Sequence, residues 1–124
     1  MAKARRDPGA TAVRGFPPLS DLRARVLVLG SMPGVASLRA QQYYGHPRNA
    51  FWTIMASLFG FAVDAPYAQR VAGLVANGIA VWDVLAACER AGSLDADIVA
   101  ASAVHNDFAD FFVRHRAITR ICCN

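Results

Sequence analysis

Apolar and polar positions along the chain alternate between two patterns, one for buried strands and one for amphipathic helices. Arg25 to Gly30 carries Val26, Leu27, Val28 and Leu29 without polar alternation, which predicts a parallel strand covered on both faces and ended by Gly30. From Asn49 onward Phe51, Ile54, Met55, Leu58 and Phe59 fall at i, i+3, i+4, i+7 and i+8, predicting a helix with that face inward, Asn49 as N-cap and Gly60 as stop. A second helix is expected over Ala65 to Asn77, with Tyr67, Val71, Leu74 and Val75 inward and Gly78 left-handed after it. Ile79 to Leu85 reads as a second buried strand with Asp83 as its polar exit. A loop containing Gly92 follows, with a short helical turn from about Leu94. Asn106 or Asp107 then caps a helix whose Phe108, Phe111 and Phe112 face the core, and Ala117 to Cys123 reads as a third strand. The order β-α-α-β-α-β, with crossovers long enough to join parallel strands, predicts an α/β domain.

Between the first strand and the first helix the periodicity lapses for about eighteen residues, and a loop of that length in a compact domain is usually functional. In an open parallel sheet the ligand crevice lies at the carboxyl ends of the strands, so this loop and Asp83 belong at one mouth. Gly30-Ser31-Met32-Pro33-Gly34 pairs small and rigid residues, either to let backbone N–H groups approach a ligand or simply to make a βα turn. Tyr43 and Tyr44 offer a face for stacking a base, or else pin the loop to the core. His46 is either a phosphate contact or acid, or a structural turn residue. Arg48 is either a phosphate clamp or a solvated cation. An N-cap role alone would account for Asn49. No Gly-Lys-Ser/Thr follows the glycines and the G-x-G-x-x-G spacing is missing, which argues against P-loop and dinucleotide-binding chemistry.

Composition narrows the picture further. At 124 residues, 55% of them hydrophobic, the chain is one packed domain, and no apolar run approaches the roughly 18 to 20 residues of a membrane span. Residues 1–20 combine basic residues with Pro8, Gly9, Gly15, Pro17 and Pro18, which predicts a flexible basic arm settling near Phe16, with the domain proper over 21–124. That arm lacks the apolar segment of a secretory signal, so the cytoplasm is the expected location. Cys88, Cys122 and Cys123 lack ligand spacing and are expected to pack as small hydrophobes, with no metal or iron–sulfur site. A net charge of +4 leans toward a polyanionic partner, although four of the basic residues lie in the first fourteen positions.

Together the residues GSMPG…S…YYGHPRNAFW resemble the hypoxanthine-DNA glycosylase branch of the uracil-DNA glycosylase superfamily and, at a lower level, the mismatch-specific uracil/thymine glycosylases. The resemblance continues through Ile79 to Leu85, Cys88-Glu89-Arg90, Gly92-Ser93-Leu94-Asp95, Asn106-Asp107-Phe108 and Ile118 to Asn124, covering roughly residues 16 to 124. It implies a three-layer α/β/α sandwich around a short parallel sheet. It also implies cofactor-free hydrolysis of the N-glycosidic bond of deaminated bases in DNA, hypoxanthine chiefly and uracil as a further target. Mismatch-specific relatives keep a catalytic asparagine where Met32 stands, and a thioether cannot replace it. In the hypoxanthine branch the catalytic residue is the asparagine of the His-Pro-Arg-Asn run, here Asn49. Tyr44 or Phe51 would stack on the base, and backbone groups of Ser31 to Gly34 would read its edge. Asp83 is a second carboxylate candidate for proton abstraction, with capping or salt-bridging at the sheet edge as its alternative role.

The superfamily continues past the third strand into a further helix, a strand and a Pro-Ser-rich loop. The expectation is therefore an incomplete domain lacking that helix and strand, monomeric if complete and aggregation-prone if not. A non-catalytic remnant that binds DNA weakly is the competing reading.

Overall fold

The computed structural model describes residues 9–124. The polypeptide forms a parallel sheet in the order β3-β2-β6, from β2 (Val26–Gly30), β3 (Ile79–Asp83) and β6 (Arg120–Cys123). Side chains alternate across a strand, so β2 and β3 feed two cores. Val28, Ile79 and Val81 pack with Phe51, Trp52 and Leu74 of α2 (Phe51–Phe59) and α3 (Tyr67–Ala76). On the opposite face Leu27 and Ala80 meet Phe111 of α4 (Phe108–Arg114), flanked by Phe108 and Phe112. Helices on both faces of a parallel sheet make the three-layer sandwich, as the uninterrupted apolar runs require.

The register matters for the site. Val26 lies opposite Ile79 and Gly30 opposite Asp83, so the loop leaving β2 and the carboxylate ending β3 emerge side by side.

Several local readings need correction. The inward face of α2 is rotated: Ile54 and Leu58 are 51% and 66% exposed, whereas Trp52 is buried. The indole decides this, since Trp52 Nε1 donates to the Tyr43 carbonyl at 2.8 Å and the ring packs edge-on to Phe51, Phe61 and Tyr67. Asn49 stands two residues before the first helical residue, with Ala50 in the N-cap position itself, and its Oδ1 accepts the Phe51 N–H at 2.8 Å, so it still caps the first turn from one residue further out. Gly60 and Gly78 close their helices at φ 76° and 78°, as expected. Asp107 caps α4 by accepting from the Asp110 N–H, while Asn106 Nδ2 donates to the Asp83 carbonyl at 2.7 Å.

The run from Ile79 to Leu85 is not one strand. Val84 N–H donates to the Gly30 carbonyl and the chain then leaves the parallel sheet. β4 (Leu85–Arg90) runs antiparallel between β1 (Thr11–Arg14) and β5 (Val104–His105) in a second sheet. The arm expected over 1–20 is thus a paired strand from Thr11 to Arg14, held by main-chain bonds that its mostly exposed side chains do not signal. Leu19 also exchanges two backbone hydrogen bonds with Val81. Residues 1–8 lie outside the described residues. Met32, Leu85 and Cys88 form a third apolar cluster joining this second sheet to the loop. Cys88 packs as expected, but Cys122 and Cys123 are exposed on the edge strand β6. No helix among the described residues is long and apolar enough to cross a membrane.

Candidate active-site cleft

The loop after β2 folds around a cleft of about 240 Å³ at the carboxyl ends of β2 and β3. It contains one helix that periodicity did not reveal, α1 (Val35–Ala40), too short to display a stripe and closed by Gln41 in the left-handed conformation. Ser37 on α1 is buried, and its hydroxyl accepts the Gly45 N–H, drawing the loop back on itself.

The two tyrosines divide the roles left open for them. Tyr43 pins the loop: it is buried, its hydroxyl donates to Pro17 O at 2.8 Å, and its N–H donates to the Tyr67 hydroxyl. Burial raises its phenol well above the usual range. Tyr44 has φ 53°, an uncommon conformation for a bulky residue and one that clusters at functional sites. Its ring stacks on Phe51 at 4.2 Å and lines the cleft. Burial raises the Tyr44 phenol too, an effect the Asn124 side chain partly offsets. Phe51, expected as an alternative stacking face, is 5% exposed and lies behind Tyr44 instead of on the cleft wall.

Asn49 lines the cleft from its open side. Its acceptor oxygen is engaged by the Phe51 N–H, which leaves the amide nitrogen as the group able to meet a ligand. No described residue accepts from that nitrogen. Asp83 is 4% exposed, and its carboxylate takes part in no hydrogen bond or ion pair with a described residue. The capping and salt-bridge roles do not apply, because this carboxylate points at Gly30, where an added Cβ would overlap Asp83 Oδ1. Burial first, and then the Asp95 carboxylate, push the Asp83 pKa up to about 6.

Gly30, Ser31, Met32, Pro33 and Gly34 all line the cleft, and the N–H groups of Ser31, Met32 and Gly34 donate to no described acceptor. Met32 is 7% exposed, so it serves the third core as much as the cleft. His46 lines the cleft while its Nδ1 accepts the Arg48 N–H. Arg48 is set apart: it is exposed and borders a neighbouring groove with Ile54, Met55 and Cys122.

Sequence reasoning missed the segment that braces this loop. Arg90, 1% exposed at the end of β4, donates from Nη2 to Pro33 O at 2.5 Å and from Nε to Gly92 O at 2.7 Å. Ser93 Oγ accepts the Val35 N–H at 2.8 Å, and Asp95 Oδ2 accepts the Ser31 hydroxyl at 2.7 Å. The signal available was that these residues fall in the runs Cys88-Glu89-Arg90 and Gly92-Ser93-Leu94-Asp95 that share the family resemblance, with nothing in them to name a partner. Among the described residues no group of three His, Cys, Asp or Glu side chains could hold a metal ion.

Comparison with known proteins bears on the family and the fold. A sequence model of the uracil DNA glycosylase superfamily matches residues 17–123. The chain is 43% identical over 86 residues to a protein named hypoxanthine DNA glycosylase from Methanosarcina barkeri, a match covering 68% of this chain and 54% of that protein. It is 38% identical over 112 residues to one of the same name from Methanosarcina acetivorans, covering 90% and 70%. The solution NMR structure of a candidate uracil DNA glycosylase from Methanosarcina acetivorans superposes with a TM-score of 0.79 at 36% identity, covering 92% of this chain and 70% of that one. The chain therefore spans between about half and 70% of the length of the relatives it matches.

Proposed function

The chain belongs to the uracil DNA glycosylase superfamily, and from that premise we propose that it hydrolyses the N-glycosidic bond of deaminated bases in DNA, hypoxanthine chiefly and uracil as a further target. The observation that supports the reading is that Asn49, Tyr44 and Asp83 all line one cleft. An excised base must leave the stack and enter a pocket where it is held by aromatic contact and read along its edge. Tyr44 supplies the ring, braced by Phe51, and the free N–H groups of Ser31, Met32 and Gly34 supply donors for the base.

As the bond breaks, the base gathers negative charge and the sugar becomes cationic. The Asn49 amide nitrogen, held by the oxygen's bond to the helix start, is a fixed donor to that charge or to the nucleotide. A neutral amide cannot take a proton from water, so this step falls to Asp83, whose burial makes it a better base than an ordinary carboxylate. His46 would contact the nucleotide from the cleft rim, and Arg48 a flanking phosphate outside it.

The test is incubation of the purified chain with an inosine-containing duplex, scored by alkali-labile abasic sites beside Asn49→Ala. Strand cleavage with the wild type and its loss in the variant are expected. Equal signal from both would remove Asn49 from the mechanism. No signal from a cooperatively folded wild type would favour a non-catalytic chain that at most binds DNA.

A further inference from the structure

Deamination of adenine or cytosine turns the exocyclic amine into a carbonyl and also changes the ring nitrogen beside it. Adenine N1 and cytosine N3 are bare ring acceptors, whereas the corresponding positions in hypoxanthine and uracil carry a hydrogen beside a carbonyl. A site that selects deaminated bases therefore needs a group that accepts from a ring N–H and has no proton to offer a ring nitrogen. A serine hydroxyl alone is a poor choice, since it rotates to donate or accept as the ligand requires.

Ser31 is not free to rotate in this way. It lines the cleft, and its hydroxyl sits 2.7 Å from Asp95 Oδ2. A carboxylate only accepts, so the proton between them belongs to Ser31 and points at Asp95. Toward the cleft the hydroxyl presents lone pairs alone. The main chain here is held at several points: the Ser31 carbonyl accepts the Leu85 N–H at 3.1 Å, and just downstream Arg90 Nη2 donates to Pro33 O and Ser93 Oγ accepts the Val35 N–H. Asp95 itself does not line the cleft and is held against Ser31 by the 3₁₀ turn Asp95–Asp97.

We propose that Asp95 is a specificity-determining residue, acting through Ser31: by holding the hydroxyl proton it makes Ser31 an acceptor-only reader that favours bases presenting a ring N–H. The inference rests on the glycosylase reading above and deepens it. It sorts lactam rings from amino-substituted ones; guanine and thymine, which also carry a ring N–H, must be rejected by other features.

The experiment compares binding to two duplexes carrying 2′-fluoroarabino-inosine or 2′-fluoroarabino-adenosine, which resist excision. Each is placed opposite a tetrahydrofuran spacer so that base pairing does not bias the ratio. The wild type should prefer inosine by at least about tenfold, the discrimination one well-placed hydrogen-bonding group provides. Ser31→Ala and Asp95→Asn should each bring the preference to within about twofold of unity, and Asp95→Glu should retain most of it. Preferences in Ser31→Ala and Asp95→Asn equal to that of the wild type, in cooperatively folded proteins, would overturn the inference. If Asp95→Asn does not fold, Ser31→Ala decides alone. Excision of unmodified inosine by the wild type alongside unchanged variant preferences would sink this inference and leave the glycosylase reading standing. Absence of both excision and preference in the wild type would sink both.

Discussion

The two helix-covered faces of the parallel sheet and the cleft at its end are built on opposite principles. In the core, Leu27, Leu74, Val81 and Ala80 are fully buried and apolar, and the indole N–H of Trp52 and the hydroxyl of Tyr43 both reach acceptors, the Trp82 indole N–H on the α4 side being the exception. At the cleft, polar capacity is left open: the Asp83 carboxylate, the Asn49 amide nitrogen and three loop N–H groups meet no described partner. Asn49 is exposed and its amide meets solvent, but Asp83 is buried; leaving a buried polar group unpaired costs about 1–3 kcal/mol, so that carboxylate opposes stability and is tolerated where a ligand completes it. The contrast is between residues that hold the molecule together and residues held ready by it. Tyr43 and Tyr44, adjacent in sequence, stand on either side of that division.

If the comparison is right, substitutions on the two sides should separate activity from stability. The largest separation is expected at Asn49→Ala. Single-turnover excision of hypoxanthine should fall by about 10²–10³, the scale of losing one fixed donor at a developing charge. Thermal unfolding should record only the loss of a helix cap, about 1 kcal/mol. A stability loss large enough to account for the rate would break the comparison.

Asp83→Asn should move the two properties in opposite directions. Excision should drop by on the order of 10²-fold, and the acid limb near pH 6 that the wild-type profile is expected to show should disappear. Stability should rise, and the sign follows from the native pKa of about 6 against an ordinary value of 3.8. Between those values the folded state binds the proton more tightly than the unfolded chain. The contribution is therefore present near pH 4 and lost as pH climbs through 6. Wild type and variant should converge near pH 4, with the variant more stable at pH 7 by on the order of 1–3 kcal/mol in urea melts.

Leu74→Ala, deep under α3, should cost about 2–5 kcal/mol of stability, with excision per folded molecule unchanged at a temperature where both proteins are folded. Smallest of all, Ile121→Lys on the exposed edge strand β6 should change unfolding by no more than about 0.5 kcal/mol. It should also reduce any self-association seen by sedimentation, since a charge on an open strand edge opposes pairing with a second chain. An unaltered association constant would move the sticky surface elsewhere, with Ile54 and Leu58 on α2 the next place to look.

Much of this molecule could be read from its residues in order. The three parallel strands, the glycine stops at Gly60 and Gly78, and the aromatic face of α4 depend on patterns a few residues wide, imposed by the pleat and the helical turn. The same short-range logic marked the stretch from Gly30 to Arg48 as the candidate site, because periodicity lapses there while small, aromatic and polar residues crowd together. For Asn49 it offered only a cap, and the resemblance to the glycosylases is what drew attention to it; its bond to the Phe51 N–H and its place on the cleft are compatible with each other. The rotation of α2 was not legible, because Trp52 is drawn inward by the Tyr43 carbonyl, a partner fixed by the folded loop. Nor was the second sheet, whose β1 is defined by main-chain pairing with residues more than seventy positions away.

Sequence alone thus determined the layers of the sandwich and the identity of the loop at its mouth, since both follow from side-chain chemistry at near neighbours. Tertiary structure alone decided which groups in that loop are satisfied and which are left facing the cleft. Asp83 lost its expected partners because the strand register sets it against Gly30, and Ser31 gained Asp95 because β4 turns the chain back across the loop. Protonation and hydrogen-bond direction at the site depend on those long-range contacts, and no local pattern encodes them.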